Sequence, residues 1–514
     1  MTEIILPDLI QQMLQPGFYP HQVKEPIQLI QTHCSYVLLT GDFVYKLKKP
    51  VNFGFLNYST LELRQNFCNE ELRLNQRGAS QLYVEVLPIT QEGGKYQLAG
   101  GKEAIEYTLK MREFPDDALF STMFEQGKIG EAEIAELAKV VATYHSQIQT
   151  NEYISSFGEI PQVRAAFDEN YQQTVNYIGG PQTAQQFEET KNYTDNFFAT
   201  KTELFKSRIA GNFIRECHGD LHLRNICLWH DQILLFDCIE FNEPFRFVDV
   251  MYELAFTVMD LEAKQRPDLA NVFLNTYIEQ TGDWEGLQLL PLYQSRQAYV
   301  RAKVTSFLLD DPSVPADVKA EASQTAAAYY QQAWNYTKPR QGKLILMSGV
   351  SGSGKSTTAK YLAQQLGAIH LRSDAVRKHL AGVPLYEKGS NDLYSAEMTE
   401  KTYSRLLKLG ILLADQGYTV ILDAKYDRQN TRKDVIKAAT AQEIPLQIIQ
   451  CTAPVEILKE RLEKRQGDIA DATADLLTSQ LQQVEPFTDA EKIYVKILNT
   501  TEPLTAQLNG VIRQ

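Results

Sequence analysis

The stretch that decides the fold is KLILMSGVSGSGKSTTAKYL, residues 343–362. Its centre, Gly349-Val350-Ser351-Gly352-Ser353-Gly354-Lys355-Ser356, fits G-x-x-x-x-G-K-[ST]. A loop of small residues lets successive backbone N–H groups wrap a phosphate, and the positive end of the helix that follows adds to the attraction. The match follows the apolar run Leu344–Met347 and opens a helical pattern, which is the setting the motif requires. It predicts Lys355 on the β- and γ-phosphates of a nucleotide and the Ser356 hydroxyl on Mg²⁺, with Thr357 beside them. Gly349, Ser351, Gly352, Ser353 and Gly354 form the cradle.

Downstream, strand-like AIHLRSD, YTVILDA and PLQIIQCTA alternate with helical patterns, the βα rhythm of a parallel sheet. Carboxylates at strand C-termini face the ligand side of such a sheet. Asp374 is placed to accept the proton of an acceptor hydroxyl, and Arg377, three residues on, to hold the acceptor or its phosphate. Asp423 is placed to hold Mg²⁺ or to orient the acceptor. A helix read over 456–468 puts Arg461 and Arg465 on one face, where arginines could meet charge on a moving phosphoryl group. The plain alternatives are helix caps and solvated ion pairs.

Upstream, a second constellation stands in ECHGDLHLRNICLWHDQILLFDCIEF, residues 216–241. Asp220 is followed five residues later by Asn225, and Asp237 ends the apolar run ILLF. This spacing has the logic of H-R-D-x-x-x-x-N and its later metal-binding Asp: a loop carboxylate as base, with Asn225 and Asp237 holding Mg²⁺ against ATP. SYVLLTGDFVYKLKK, residues 35–49, reads as a hairpin turning at Thr40-Gly41-Asp42. It places Lys46 on the second strand as a phosphate lysine, with Lys48 and Lys49 as competitors. Glu70 or Glu71 on the next helix would hold it; Glu70 is the candidate carried forward. Strands are expected over 82–89 and 105–114, and mostly helix from 129 to 333.

The C-terminal 170 or so residues resemble the P-loop kinases related to polynucleotide kinase, gluconate kinase and chloramphenicol phosphotransferase, on GVSGSGKS, Ser373–Arg377, VILDA and the Arg-bearing helix. The resemblance implies base and acceptor-phosphate roles for Asp374 and Arg377. HGDLHLRN, the LLFD strand and VDVMYELAF (248–256) resemble the aminoglycoside phosphotransferase family. That implies Asp220 as base, Asn225 and Asp237 as metal ligands, and Asp249 as a structural residue bonding the catalytic loop. The hairpin lacks a G-x-G-x-x-G turn, and the metal Asp sits in FDC rather than DFG. The order of the two parts resembles a bacterial two-domain family in which such a domain is fused to an ATP-binding protein.

The expected architecture is an α+β bilobal kinase-like domain followed by an α/β P-loop domain with a parallel sheet. Its parts are an N-lobe over 1–115, a helical C-lobe over 116–336, a connector at 337–342 and the P-loop domain over 343–514. A length of 514 residues suits several domains. The net charge of −13 is uneven: residues 341–514 hold 22 Lys+Arg against 20 Asp+Glu, so the front carries the acidity. This argues against bulk nucleic-acid or anionic-membrane binding. Six cysteines without CxxC spacing read as reduced thiols, and Cys217 and Cys227 fit no usual zinc pattern. Residues 1–14 read as a short amphipathic helix rather than a signal peptide, and no apolar run reaches the ~18 residues of a membrane span. A cytoplasmic bifunctional kinase using ATP and Mg²⁺ on a small hydroxylated acceptor is expected, oligomeric state open. No guanine-reading segment argues for GTP. The rivals are a nucleic-acid 5′-end kinase and a nucleotide-dependent regulator with a pseudokinase or protein-modifying domain.

Overall fold

A computed structural model describes residues 6–512 apart from 102 and 466. The first five residues of the expected N-terminal helix lie outside this range; Asp8–Met13 is helical. The chain divides into two compact units: residues 1–130, 143–169 and 198–260 form the first, and 131–142, 170–197 and 261–514 the second. The helices after residue 260 thus group with the P-loop part.

The first unit begins with a six-stranded sheet. Its strands are β1 (Gln28–Gln31), β2 (Ser35–Leu39), β3 (Phe43–Lys48), β4 (Tyr83–Glu92), β5 (Lys95–Leu98) and β6 (Glu106–Arg112), in the order β1-β2-β3-β6-β4-β5. Every pairing is antiparallel. Gly41 makes the expected turn at φ +102°, a backbone region open to glycine at little cost. Between β3 and β4 runs helix α1 (Leu61–Ala79), capped by the Thr60 hydroxyl, which accepts from Leu63 N–H at 3.3 Å. Leu38, Tyr45 and Leu47 bury one face of β3 with Ile10 and Met13, while Lys46 and Lys48 occupy the other. Short strands β7 (Ile214–Glu216), β8 (Ile226–Trp229), β9 (Gln232–Leu235) and β10 (Phe247–Asp249) frame the 216–241 segment. They pair antiparallel as β7 with β10 and β8 with β9. Helix α2 (Val250–Ala263) follows.

The second unit contains helices α3 (Pro267–Thr281), α4 (Leu290–Asp310) and α5 (Ala316–Tyr336). The last two pack together through Tyr299 and Tyr330, ring centroids 5.2 Å apart, and Ser295 Oγ donates to Ala333 O at 2.9 Å. Then come β11 (Lys343–Ser348), α6 (Lys355–Leu366), β12 (Ile369–Arg372), α7 (Ser373–Ala381), α8 (Ala396–Asp415) and β13 (Thr419–Asp423). They are followed by α9 (Gln429–Ala441), β14 (Leu446–Thr452), α10 (Val455–Lys464), α11 (Leu477–Gln483) and β15 (Val495–Asn499). The sheet order is β12-β13-β11-β14-β15, all parallel. Ile345, Met347, Ile421 and Ile449 are buried with Ala359 and Leu362 of α6, so the apolar strand runs are core. The fold is an α+β part built on an antiparallel sheet, followed by an α/β part with a parallel sheet.

Besides β1 and β5, which the sequence reading does not contain, the P-loop part departs from it in two details. The sheet has a fifth strand, β15, and the helix expected over 456–468 stops at Lys464. Among the described residues no helix is long and apolar enough to cross a membrane, and all six cysteines are free thiols.

Candidate active sites

The loop after β11 takes the shape its glycines permit. Gly349, Gly352 and Gly354 have φ of +141°, +80° and +84°. A Cβ at Gly349 would lie 2.6 Å from Cys451 O, so the loop cannot accept a side chain there without moving the neighbouring strand. Lys355 opens α6, and its Nζ donates to Val350 O at 2.9 Å, folding back over the loop. Burial pulls its pKa down, against nearby Asp423 and Asp374, which raise it. Ser356 is partly exposed and Thr357 exposed, while the Ser353 hydroxyl is buried with no hydrogen-bond partner among the described residues. Ser351 N–H donates to Gln480 Oε1 of α11 at 3.0 Å.

Asp374 sits in the first turn of α7. Its carboxylate makes no side-chain hydrogen bond among the described residues, and burial raises its pKa. Asp423 ends β13, level with Met347 and Arg372 in the sheet. Its Oδ2 pairs with His370 Nε2 at 3.0 Å. Burial opposes ionisation, but this bond and the His370 charge outweigh it and bring the pKa down to about 2. Lys355, Asp374 and Asp423 thus lie within electrostatic reach of one another at the C-terminal edge of the sheet.

The three arginines are engaged with protein atoms. Arg377 is buried; its Nη1 donates to Leu393 O at 3.1 Å and Thr399 Oγ1 at 3.2 Å, while its Nε has no partner among the described residues. Arg461 donates to Thr500 Oγ1 at 2.8 Å and Gly352 O at 3.4 Å, and Thr500 Oγ1 donates to Ser353 O at 2.8 Å, so it braces the phosphate loop from behind. Arg465 lies beyond the last turn of α10 and donates to Ala472 O, so the expected shared helix face with Arg461 does not form. Arg372 was not singled out from the sequence. It pairs with Asp468 at 2.5 Å and approaches Glu279 at 3.6 Å.

In the first unit, Lys46 Nζ reaches Glu71 Oε1 and Asp237 Oδ1, each at 2.7 Å. Burial disfavours its charge, but the two carboxylates outweigh it and hold its pKa well above the ordinary range. The partner is Glu71 and not Glu70. Glu70 lies one position round the helix, where Arg73 binds it at 2.6 Å and Arg246 at 3.0 Å. Lys48 does not compete for the same place: it is buried, bonded to Glu71 Oε2 at 2.7 Å and to Glu240, which Tyr58 also holds.

Asn225 Nδ2 donates to Asp220 Oδ2 at 3.1 Å and to its carbonyl at 2.9 Å, which fixes the loop carboxylate against the Asn side chain. His222 Nε2 lies 3.3 Å from the same oxygen. Asp237 holds a left-handed backbone, φ +64°, uncommon without glycine, and its N–H donates to Tyr83 OH at 3.1 Å. The catalytic-loop brace expected at Asp249 lies elsewhere. Asp249 pairs bidentately with Arg208 at 2.7 and 2.8 Å and accepts from Met251 N–H. The loop is instead held from α2: Glu253 Oε1 accepts from Gly219 N–H at 2.6 Å, Thr257 Oγ1 donates to Leu221 O at 2.8 Å and Asp260 accepts from Leu223 N–H at 3.3 Å. His145 bonds Glu253 Oε2 at 2.7 Å, and with Cys217 these groups lie within 4.8 Å of one another. Both oxygens of Glu253 are already engaged, so the trio serves as a brace for the loop.

Asn225, Asp237, Ser356 and Asp423 all offer hard oxygen donors, which suits Mg²⁺.

Across 454 residues the chain is 30% identical to the uncharacterized protein Rv2004c of Mycobacterium tuberculosis, covering 88% of each. The chain belongs to the Rv2004c family. Within that family frame, residues 344–487 match the model of the AAA domain. The adenylyl-sulfate kinase of Chloroflexus aurantiacus is 29% identical over 155 residues, 29% of this chain and 74% of that one. Among solved structures, a choline/ethanolamine kinase family protein from Mesorhizobium loti covers 64% of this chain and 99% of its own at 10% identity and TM-score 0.39.

Proposed function

We propose that this Rv2004c-family chain is an ATP-dependent phosphotransferase with two sites, each moving the γ-phosphoryl group of ATP to a hydroxyl of a small acceptor. The observation that carries the reading is that each unit separately joins a lysine to carboxylates: Lys46 with Glu71 and Asp237 in one, with Asp220 within electrostatic reach of Asp237, and Lys355 with Asp374 and Asp423 in the other.

In the first unit Asp220 takes the acceptor hydroxyl proton as the acceptor oxygen bonds to the γ-phosphorus. The bond from that phosphorus to the β–γ bridging oxygen breaks, and ADP leaves. Lys46, oriented by Glu71, binds the phosphates. Asn225 and Asp237 would hold Mg²⁺, which neutralises phosphate charge when bound. In the second unit the backbone N–H groups of 349–354 and Lys355 bind the phosphates, Ser356 and Asp423 would hold Mg²⁺, and Asp374 takes the proton. Its lifted pKa suits a base working near neutrality better than an ordinary aspartate. Arg377 beside it supports a role in holding an anionic group of the acceptor.

The test is an acceptor screen by mass spectrometry. A metabolite extract with Mg·ATP is incubated with wild-type, Asp220→Ala or Lys355→Ala protein. The expected result is a species gaining one or two phosphates and lost in a variant. If both variants leave every product intact, the reading fails.

A further inference from the structure

Asn271, Asn275 and Glu279 stand four residues apart on α3, so they share one face of that helix. The face lies on β12, the edge strand of the parallel sheet. An edge strand presents N–H and C=O groups that its own sheet does not pair. Asn275 pairs them here. Its Oδ1 accepts from His370 N–H at 2.7 Å, and its Nδ2 donates to Ala368 O at 3.0 Å. Asn271 Nδ2 donates to the same carbonyl at 3.0 Å. The side-chain amide thus stands where the peptide group of a sixth strand would be.

One turn further, Glu279 approaches Arg372 Nη1 at 3.6 Å, and its backbone carbonyl pairs with His379 Nε2 at 2.8 Å. The two β12 residues gripped in this way are the ones that face the phosphate site. His370 holds Asp423 through its ring. Arg372 lies level with Asp423 in the sheet and within electrostatic reach of Asp374.

We infer that Asn275 and Glu279 are positioning residues of the P-loop site: Asn275 fixes His370, and so the Asp423 carboxylate, while Glu279 on one nitrogen, with Asp468 on the other, holds Arg372 beside Asp374. The P-loop site then begins well before residue 343, on a helix the sequence assigns to another part. The inference rests on the reading of this site as one for Mg·ATP. Groups that orient a ligating carboxylate characteristically change metal affinity or activity 10–100-fold when removed.

The experiment uses the full chain. Binding of a fluorescent ATP analogue is titrated with and without Mg²⁺, and the component that Lys355→Ala removes defines the P-loop site. ATP hydrolysis is followed in an Asp220→Asn background. For Asn275→Ala the metal-free affinity of that component should stay within about twofold, while its Mg²⁺ half-saturation rises about tenfold or more. Glu279→Gln should lower kcat about tenfold with KM for ATP changed less than about threefold. A helix that merely covered the sheet edge would change melting temperature and neither of these. Wild-type Mg²⁺ half-saturation and kcat in both variants would overturn the inference. Should Asn275→Ala fail to fold, Glu279→Gln decides alone, its side chain being partly exposed. If Lys355→Ala removes no binding component, the nucleotide reading itself falls, which the wild-type titration shows before any α3 variant is compared.

Discussion

Glu71 carries two lysines, one oxygen to Lys46 and the other to Lys48, and its side chain is fully buried. Removing one partner of such a network strands the other charges, at a cost of about 3 kcal/mol or more. Glu71→Gln should therefore lower stability by that order, measured by urea unfolding, and abolish phosphate transfer assigned to the first unit. Glu70→Gln should cost about 1 kcal/mol or less, because its partner Arg73 is largely exposed and Arg246 keeps Glu216. Equal losses in the two variants would contradict this assignment. The sequence offers both and the reading favours Glu70, since adjacent helix positions differ by about 100° and only the packed direction separates them. Asp374 yields the pH prediction. Burial favours its protonated form, so its pKa is raised; the base form exists above that pKa and is lost as pH falls through it. The kcat/KM of the P-loop reaction should thus fall on the acid side at a pH above the ordinary aspartate range, and Asp374→Asn should remove that limb along with most activity. An unchanged acid limb in Asp374→Asn would assign it to another group.

At the level of elements, the parts legible in the sequence are those whose pattern and local chemistry agree. β11, the phosphate loop and α6 follow from one motif, because an apolar strand, a glycine loop and a helix start each demand their own residue types. β15 escaped because it is an edge strand with Ile497 exposed, so its pattern is not that of a buried parallel strand. The early end of α10 escaped because Arg465 and Asp468 suit a solvated helix equally well, and only their bonds to Ala472 O and Arg372 show otherwise. The α3 stripe escaped because asparagines on a helix reveal nothing of the strand they pair. The phosphate loop yields the prediction at this scale. Gly349→Ala would force a left-handed φ and a Cβ against Cys451 O. It should cost about 2 kcal/mol, seen as a lower melting temperature, and weaken nucleotide binding as the loop shifts. Wild-type melting and affinity would show that the loop has more slack than its geometry implies.

For the whole molecule, the two-site reading proposed above raises the question of how the sites would divide the work. Each unit holds its own lysine, carboxylates and oxygen donors. Asp220→Asn should then abolish only the transfer assigned to the first unit, and Lys355→Ala only that assigned to the second. The form of the loss separates two schemes. If the sites act in parallel on different hydroxyls, each variant yields a singly phosphorylated product, the two products differ in position, and a mixture of both variants makes the doubly phosphorylated one. If they act in succession, one variant accumulates a singly phosphorylated intermediate while the other makes nothing from the starting acceptor, and adding that intermediate to the silent variant restores the second transfer. Chromatography of the products from each variant, alone and mixed, tells these apart. Loss of all transfer in both variants, unrelieved by mixing or by added intermediate, would mean that the sites are not separable, and a single composite reaction would replace the two-site scheme.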